Sequence, residues 1–372
     1  MVSNAAGFEV DFLPVGNGSR SGDAIALRYG SAGEYKTLVF DGGTKEAGLA
    51  LVDHIKKYYA TTRVDYVVNS HPDTDHASGL LAVLEHLEVG ELWMHQPWNH
   101  SSLIRGYFRD GRITDDSLSE RLRDSMAAAF ALEQLAEQRG IPIYEPFRGA
   151  MIDNHFLVLS PEENWYVHEL ICEFQKSPEQ KKADAAARLG LSGMYKAVAE
   201  VGRKAVAWVA EEWGIETLRE DGKTSSENES SVVLYGQIDG KGILLTGDAG
   251  IRALTATADF AEANGLSLPN SIQFAQVPHH GGRRNVSPSV LDRIIGQRRA
   301  TPGLTDKVAF VSASKESTTH PRKAVVNAFI RRGANVIATQ GEAKCFRHNM
   351  DARAGWFPAV PLTFSNQVEA WE

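Results

Sequence analysis

The sequence predicts an α/β fold, a four-layer αββα sandwich with an inserted helical subdomain. Three observations predict it: short apolar strands alternating with turns and helical stretches over the first hundred residues, a charge-rich helical stretch after them, and a return of strands from Ser231. The expected division is a core made of 1–100 and 224–372 around a helical insertion of 101–223.

Taken in order, FEVDFLPV, AIALRYG, TLVFDGG and VDYVVNS read as strands, bounded by Gly, Asn and Ser. Between the last two, Leu51, Val52, Ile55 and Tyr59 recur at helical spacing, and a second helix is expected over Ser78 to Leu87. In the insertion, MYKAVAEVGRKAVAWVAEEWG places Val198, Val201, Ala205, Trp208 and Val209 in one stripe. That stripe suits a helix packed on the core; a homodimer contact is its alternative use. SVVLYGQI, GILLTGD, SIQFAQVP and KVAFVSAS are the later strands, followed by a helix from Pro321 to Arg332 and the strand NVIAT.

With 372 residues the chain can bury a sizeable core. Its net charge of −8 argues against a broad polyphosphate-binding face, which needs clustered Lys and Arg, but leaves room for a small anionic substrate. The opening MVSNAAGFEVDFL has neither a basic leader nor a continuous apolar run, and no long apolar run occurs elsewhere; a soluble, cytoplasmic protein without a membrane partner is expected. The two cysteines, Cys172 and Cys345, lack metal-site spacing and are expected as thiols.

Chemistry concentrates where strands end. VDYVVNS runs straight into His71-Pro72-Asp73-Thr74-Asp75-His76, four metal-competent side chains within six residues at the end of a buried strand. Imidazole and carboxylate suit zinc, manganese or iron. Alone, the run could be a solvated acidic turn capping a helix. GILLTGD, however, delivers Asp248 at a second strand end, and SIQFAQVPHHGG delivers His279 and His280 at a third. Three such strand ends together point to a metal site.

Strand, HxDxDH, TGD and PHHG in this order resemble the metallo-β-lactamase superfamily and, within it, the hydrolase domain of the competence protein ComEC. FLPVGNGSRSGDAIALRYG, the DGG of Asp41 to Gly43, NESSVVL and VSASKESTTHP extend the resemblance over 8–95 and 225–345. Two departures bear on the metal. Asp73 stands where the commonest motif has His, which makes manganese a candidate beside zinc. Asn228 stands near a position where many members supply another histidine, and could bind weakly or contact a bound water.

The resemblance implies one or two divalent ions, with Asp248 bridging. Asp75, His76 and one of His279 and His280 would complete one subsite, and His71 and Asp73 would anchor the other. Neighbours on an extended segment point oppositely, so one histidine of the pair is expected to ligate, with His279 preferred. His320, in Thr319-His320-Pro321, matches the family's late HP element and could donate to a substrate oxygen, or could cap the helix that follows. Arg283 and Arg284 could hold an anionic substrate.

These readings converge on metal-assisted hydrolysis by a bridging hydroxide, with Asp75 and His320 catalytic. The resemblance favours a phosphodiesterase or nuclease acting on a nucleotide or DNA. The same fold could instead hydrolyse a lactone, thioester or β-lactam, and a noncatalytic partner-binding role for the insertion is the alternative outside enzymes. The insertion is expected as a lid beside the metal site or, failing that, a distant dimerisation arm.

Overall fold

The structure is a computed structural model, and describes residues 6–16, 21–181, 207–303 and 305–371. Two seven-stranded sheets stack face to face with helices on both outer faces, the αββα sandwich. The first sheet contains β1 (Gly7–Phe12), β2 (Ala24–Ser31), β3 (Glu34–Gly42), β4 (Arg63–Val68), β5 (Glu88–Trp93), β6 (Ile143–Tyr144) and β15 (Lys344–His348). Their order is β15-β1-β2-β3-β4-β5-β6. The second contains β7 (Met151–Ile152), β8 (Phe156–Ser160), β10 (Val233–Ile238), β11 (Lys241–Leu245), β12 (Ile272–Gln276), β13 (Val308–Val311) and β14 (Asn335–Ala338). Their order is β14-β13-β12-β11-β10-β8-β7.

Each sheet is antiparallel on one side and parallel on the other. β3 to β6 run parallel in the first, and β11 to β14 in the second. Parallel neighbours deliver their C-terminal ends to one edge, where ligand sites of α/β proteins collect. Side-chain alternation builds the layers. Phe8, Val10 and Phe12 of β1 and Leu38 and Phe40 of β3 enter the core between the sheets, while Val39 and Val67 face the helices α1 (Lys45–His54) and α2 (Thr74–His86). Thr44 caps α1 by accepting from Ala47 N, and Leu51, Val52, Ile55 and Tyr59 are all buried. α1, α2 and the end of β3 meet at glycines: a Cβ on Gly79 would come within 1.9 Å of the Gly42 carbonyl oxygen, so no other residue fits there.

The segment 101–223 is less separate than its charge and periodicity suggest. Its helices Asp115–Ser125 and Ala127–Gln138 add Leu118, Leu122, Leu132 and Ala136 to the core beneath α2. It then contributes β6 to the first sheet and β7 and β8 to the second, with Phe156 and Val158 in the intersheet core. FLVLS, bounded by Asp153-Asn154 and Ser160-Pro161, is a short run inside a helical stretch, and its sheet membership comes from pairing with β10, a long-range contact. Of the expected stripe, Val198, Val201 and Ala205 lie outside the described residues. Trp208 and Val209 belong to a strand, β9 (Trp208–Ala210), paired antiparallel with β16 (Gln367–Glu369). Among the described residues no helix is long and apolar enough to cross a membrane.

Candidate metal centre

Loops from both sheets meet at the edge where the parallel strands end, and Asp248, just after β11, stands in the middle. Its Oδ1 lies 3.5 Å from His76 Nε2 and 3.7 Å from His280 Nε2. Its Oδ2 lies 3.9 Å from His71 Nε2 and contacts His279 Nδ1 directly. His71 Nε2 is also 3.6 Å from Asp73 Oδ2. On the Oδ1 side Asp23, His76, Asp248 and His280, all buried, each offer a ligand atom within 4.8 Å of the others.

Most of these separations are too long for hydrogen bonds. Two ligand atoms about 2.1 Å from one ion at a tetrahedral angle lie about 3.4 Å apart, close to what is seen around Asp248. His71 Nε2, His76 Nε2 and Asp248 Oδ1 are buried with no hydrogen-bond partner. Leaving such an atom unpaired costs about 1–3 kcal/mol, and here several point at one place. The residues therefore fit divalent ions: Asp23, His76 and His280 with one oxygen of Asp248, and His71 and Asp73 with the other.

A second layer fixes the rings. Asp41, at the end of β3, accepts from Ser70 N at 2.7 Å and Ser70 Oγ at 2.6 Å, and its Oδ2 is 2.9 Å from His76 Nδ1. Ser70 Oγ in turn lies 2.9 Å from His71 Nδ1. With both Nδ1 atoms engaged, both Nε2 atoms face Asp248. Gln276, at the end of β12, accepts from Thr246 N and Gly247 N and donates to Asp23 Oδ2 at 2.8 Å, tying the two sheets together. Ser231 accepts from Asp248 N, and Asn285 donates to its carbonyl.

His279 and His280 are held at φ of 47° and 56°, the left-handed region that costs a non-glycine residue about 1–3 kcal/mol. Gly281 continues the turn at φ 80°, and a Cβ there would come within 2.6 Å of Pro321 Cβ. The turn brings both rings to Asp248, so the expected opposition of neighbours on an extended segment does not apply. His280, rather than the preferred His279, belongs to the four-residue group. His279 touches the other oxygen, and Asn228 Nδ2 lies 3.1 Å from its Nδ1.

Electrostatics follow from packing carboxylates and imidazoles together. Burial would raise the Asp248 pKa, but His279, His76 and His280 override it and hold the carboxyl well below its ordinary range. Burial would lower His76, but Asp248 and Asp41 push it well above the usual histidine value. Proton charge on the rings thus occupies the place a cation would take, and a bound ion would displace it. His320 is pushed down to about 3 by burial and then by His280 and His279, so it is neutral at ordinary pH. Its ring centroid lies 6.2 Å from that of His279, and Thr319 Oγ1 is 3.0 Å from its Nδ1.

Several expected site residues are placed elsewhere. Asp75 is half-exposed in the first turn of α2, with its backbone against Gly22, and Asp23 stands in the group in its stead. Arg283 is buried and donates to the carbonyls of Glu369 and Ala370, so its guanidinium serves the chain rather than a substrate. Arg284 is exposed on the same loop. Three further histidines are engaged otherwise: His95 stacks on Tyr166, His100 pairs with Glu145 and His168 contacts Tyr107. Asp23, Asp41 and Gln276, which stand in or beside the candidate centre, were not among the expected site residues. The signal for the first two was a carboxylate at the border of an apolar strand, in SGDAIAL and TLVFDGG.

A family model described as the metallo-beta-lactamase superfamily matches residues 20–170, the stretch that includes β2 to β8 and the HPDTDH run. No curated protein matches the sequence. Among solved structures, the metallo-beta-lactamase SMB-1 bound to 2-mercaptoethanesulfonate is 10% identical, covering 73% of this chain and 82% of its own, with a TM-score of 0.31. The hydrolase AbOPH of the beta lactamase superfamily is 11% identical, covering 68% and 72%, with a TM-score of 0.30. Unliganded yeast PDE1 is 10% identical, covering 89% and 96%, with a TM-score of 0.38. Likenesses this distant bear on neither substrate nor metal.

Proposed function

We propose that the protein is a metal-dependent phosphodiesterase or nuclease with its reaction centre at Asp248. The observation that carries the metal reading is the division of labour at that carboxylate, one oxygen facing His76 and His280 and the other facing His71 and His279. Divalent ions held there, zinc or manganese, would supply Lewis acidity and a water of lowered pKa. Asp23 and Asp73 add hard oxygen ligands, which suit manganese as well as zinc. His320, neutral at ordinary pH, would donate from Nε2 to a substrate oxygen while Thr319 donates to Nδ1. Asn228 would steady the His279 ring.

The phosphodiester class, with a nucleotide or short DNA as substrate, is supported by the resemblance of the strand-end motifs to the ComEC hydrolase domain. The net charge of −8 speaks for a small substrate over a long duplex. Metal analysis of protein purified without chelator, followed by assays on bis-p-nitrophenyl phosphate, single-stranded DNA, a lactone and a β-lactam, tests the proposal. Metal-dependent turnover of the first two is expected. Turnover of only the lactone or β-lactam would refute the phosphodiester reading, and an ion-free, inactive protein would refute the enzyme.

A further inference from the structure

The turn that carries His279 and His280 is strained, so something must hold it. The structure shows what does. Arg283, two residues beyond Gly281, donates through Nη1 to the carbonyls of Glu369 and Ala370 at the end of β16. Its guanidinium also lies 4.9 Å from the Trp371 ring, over which Arg219 sits at 5.3 Å. The Glu369 carboxylate accepts from Lys323 N at 3.0 and 3.1 Å, fixing the start of helix Lys323–Arg331. That start is itself joined to the histidine turn, because Arg322 N donates to Gly281 O at 3.1 Å and Pro321 packs on Gly281. β16 is anchored in turn by pairing with β9, by Ala370 N donating to Ala207 O, and by fully buried Val368.

We propose that the β9–β16 pair braces the histidine turn, which makes Arg283 and Glu369 positioning residues for the metal centre. The inference rests on the proposed metal site. Arg283 clamps the turn on one side, and Glu369 reaches it on the other through Lys323 and Arg322. Without the brace, His279 and His280 relax toward ordinary backbone angles and at least one ring leaves Asp248. The fold survives, because the turn adds little to either apolar core.

The test is the affinity of the full chain for manganese alone and for cobalt alone, with the visible cobalt spectrum as a reporter of ligand geometry. Arg283→Met and Glu369→Gln should each weaken binding about tenfold, the scale of losing an outer-layer partner, and should alter the cobalt bands. Arg283→Lys, which can still donate to the two carbonyls, should recover most of that affinity. Leu27→Ala, in the intersheet core, serves as a control that lowers the melting temperature of the metal-free protein without changing affinity. Wild-type affinity in both Arg283→Met and Glu369→Gln would overturn the brace, and so would an equal loss in Leu27→Ala. If the wild-type chain bound neither ion, the metal centre itself would fall, an outcome distinct from intact binding that ignores the brace.

Discussion

Two groups of buried acids, one on the helix-covered face of β1 and one around Asp248 at the strand-end edge, find their charge partners in different ways. Glu9 and Asp11 project from β1 toward α1, where Arg353 Nη2 lies 2.7 Å from Glu9 and 2.6 Å from Asp11. Arg28 lies 2.6 Å from Glu9, and Tyr59 donates to Asp11 at 2.7 Å. Burial would raise Asp11, but His54 and Arg353 prevail and hold it at about 2. The Arg353 guanidinium is stacked among Tyr58, Tyr59 and Trp356. Cys345 joins the two acids in a set that could geometrically hold an ion, but cations from the chain already fill it. Around Asp248, among the described residues, there is no arginine or lysine ion pair, only imidazoles, several with an unpaired ring nitrogen. Clustered acids alone do not point to a metal; acids balanced only by imidazoles, whose protons an ion can displace, do.

The comparison breaks most visibly at its centre. Asp248→Ala should abolish hydrolysis and remove at least one ion, a larger effect than the roughly 10–100-fold of an outer-layer loss, while leaving the far-ultraviolet dichroism native. Unchanged turnover and metal content in that variant would reduce Asp248 to a turn residue.

The opposite group should respond in stability and not in metal. Arg353→Met removes the cation that two buried carboxylates share, a change that costs about 3–5 kcal/mol in denaturant unfolding. Manganese affinity of the folded fraction should stay at the wild-type value. Weaker metal binding would mean that the two groups are coupled through β1.

His95 separates orphaned nitrogens from convergent ones. Both of its ring nitrogens are buried without partners, yet it stands against Tyr166 and Phe147, and burial pushes its pKa down to about 4. The unfolded chain takes up its proton near pH 6.5, so stability from the neutral ring is fully present above 6.5 and is lost as pH falls toward 4. The loss reaches about 3 kcal/mol, the size set by a pKa of about 4 against an ordinary 6.5. His95→Phe should flatten the stability profile between pH 6.5 and 4. An unchanged profile would assign that acid sensitivity to other groups.

How much of this was legible depended on whether the information was local. The strand-end motifs made His71, Asp73, His76, Asp248 and the histidine pair readable as candidates because each sits beside a readable strand, and the alternation of β1, β3 and β4 was enough for the sandwich. Asp23 had only its place at the border of an apolar strand to mark it: nothing near it in sequence says that Gln276, from the other sheet, will hold its carboxylate. The expectation that only one of His279 and His280 would face the centre did not anticipate a left-handed turn, invisible in residue order, that brings both rings to Asp248. Trp208 and Val209 carried helical spacing but were taken by β16, whose pairing lies far along the chain. Arg283 looked like a substrate contact because its binding partners are backbone carbonyls, which leave no mark in sequence.

The smallest change should be the sharpest. Asp41 adopts φ 59°, which asparagine tolerates, so Asp41→Asn adds no backbone strain and little change in volume. It does remove an acceptor. The amide nitrogen cannot receive both the Ser70 hydroxyl and His76 Nδ1, so the ring loses the bond that keeps its proton on Nδ1. A proton on Nε2 then competes with the ion for the lone pair aimed at Asp248. Metal affinity should fall about 10–100-fold, with the loss growing as pH decreases, while the unfolding midpoint of the metal-free protein moves little. The matched change on the other side, Asp11→Asn, removes a charge that Arg353 already balances and should leave metal affinity where it was. Titration calorimetry against a competing chelator reads both. Equal affinities in the two variants would show that Asp41 orients nothing and that His76 is held by packing alone.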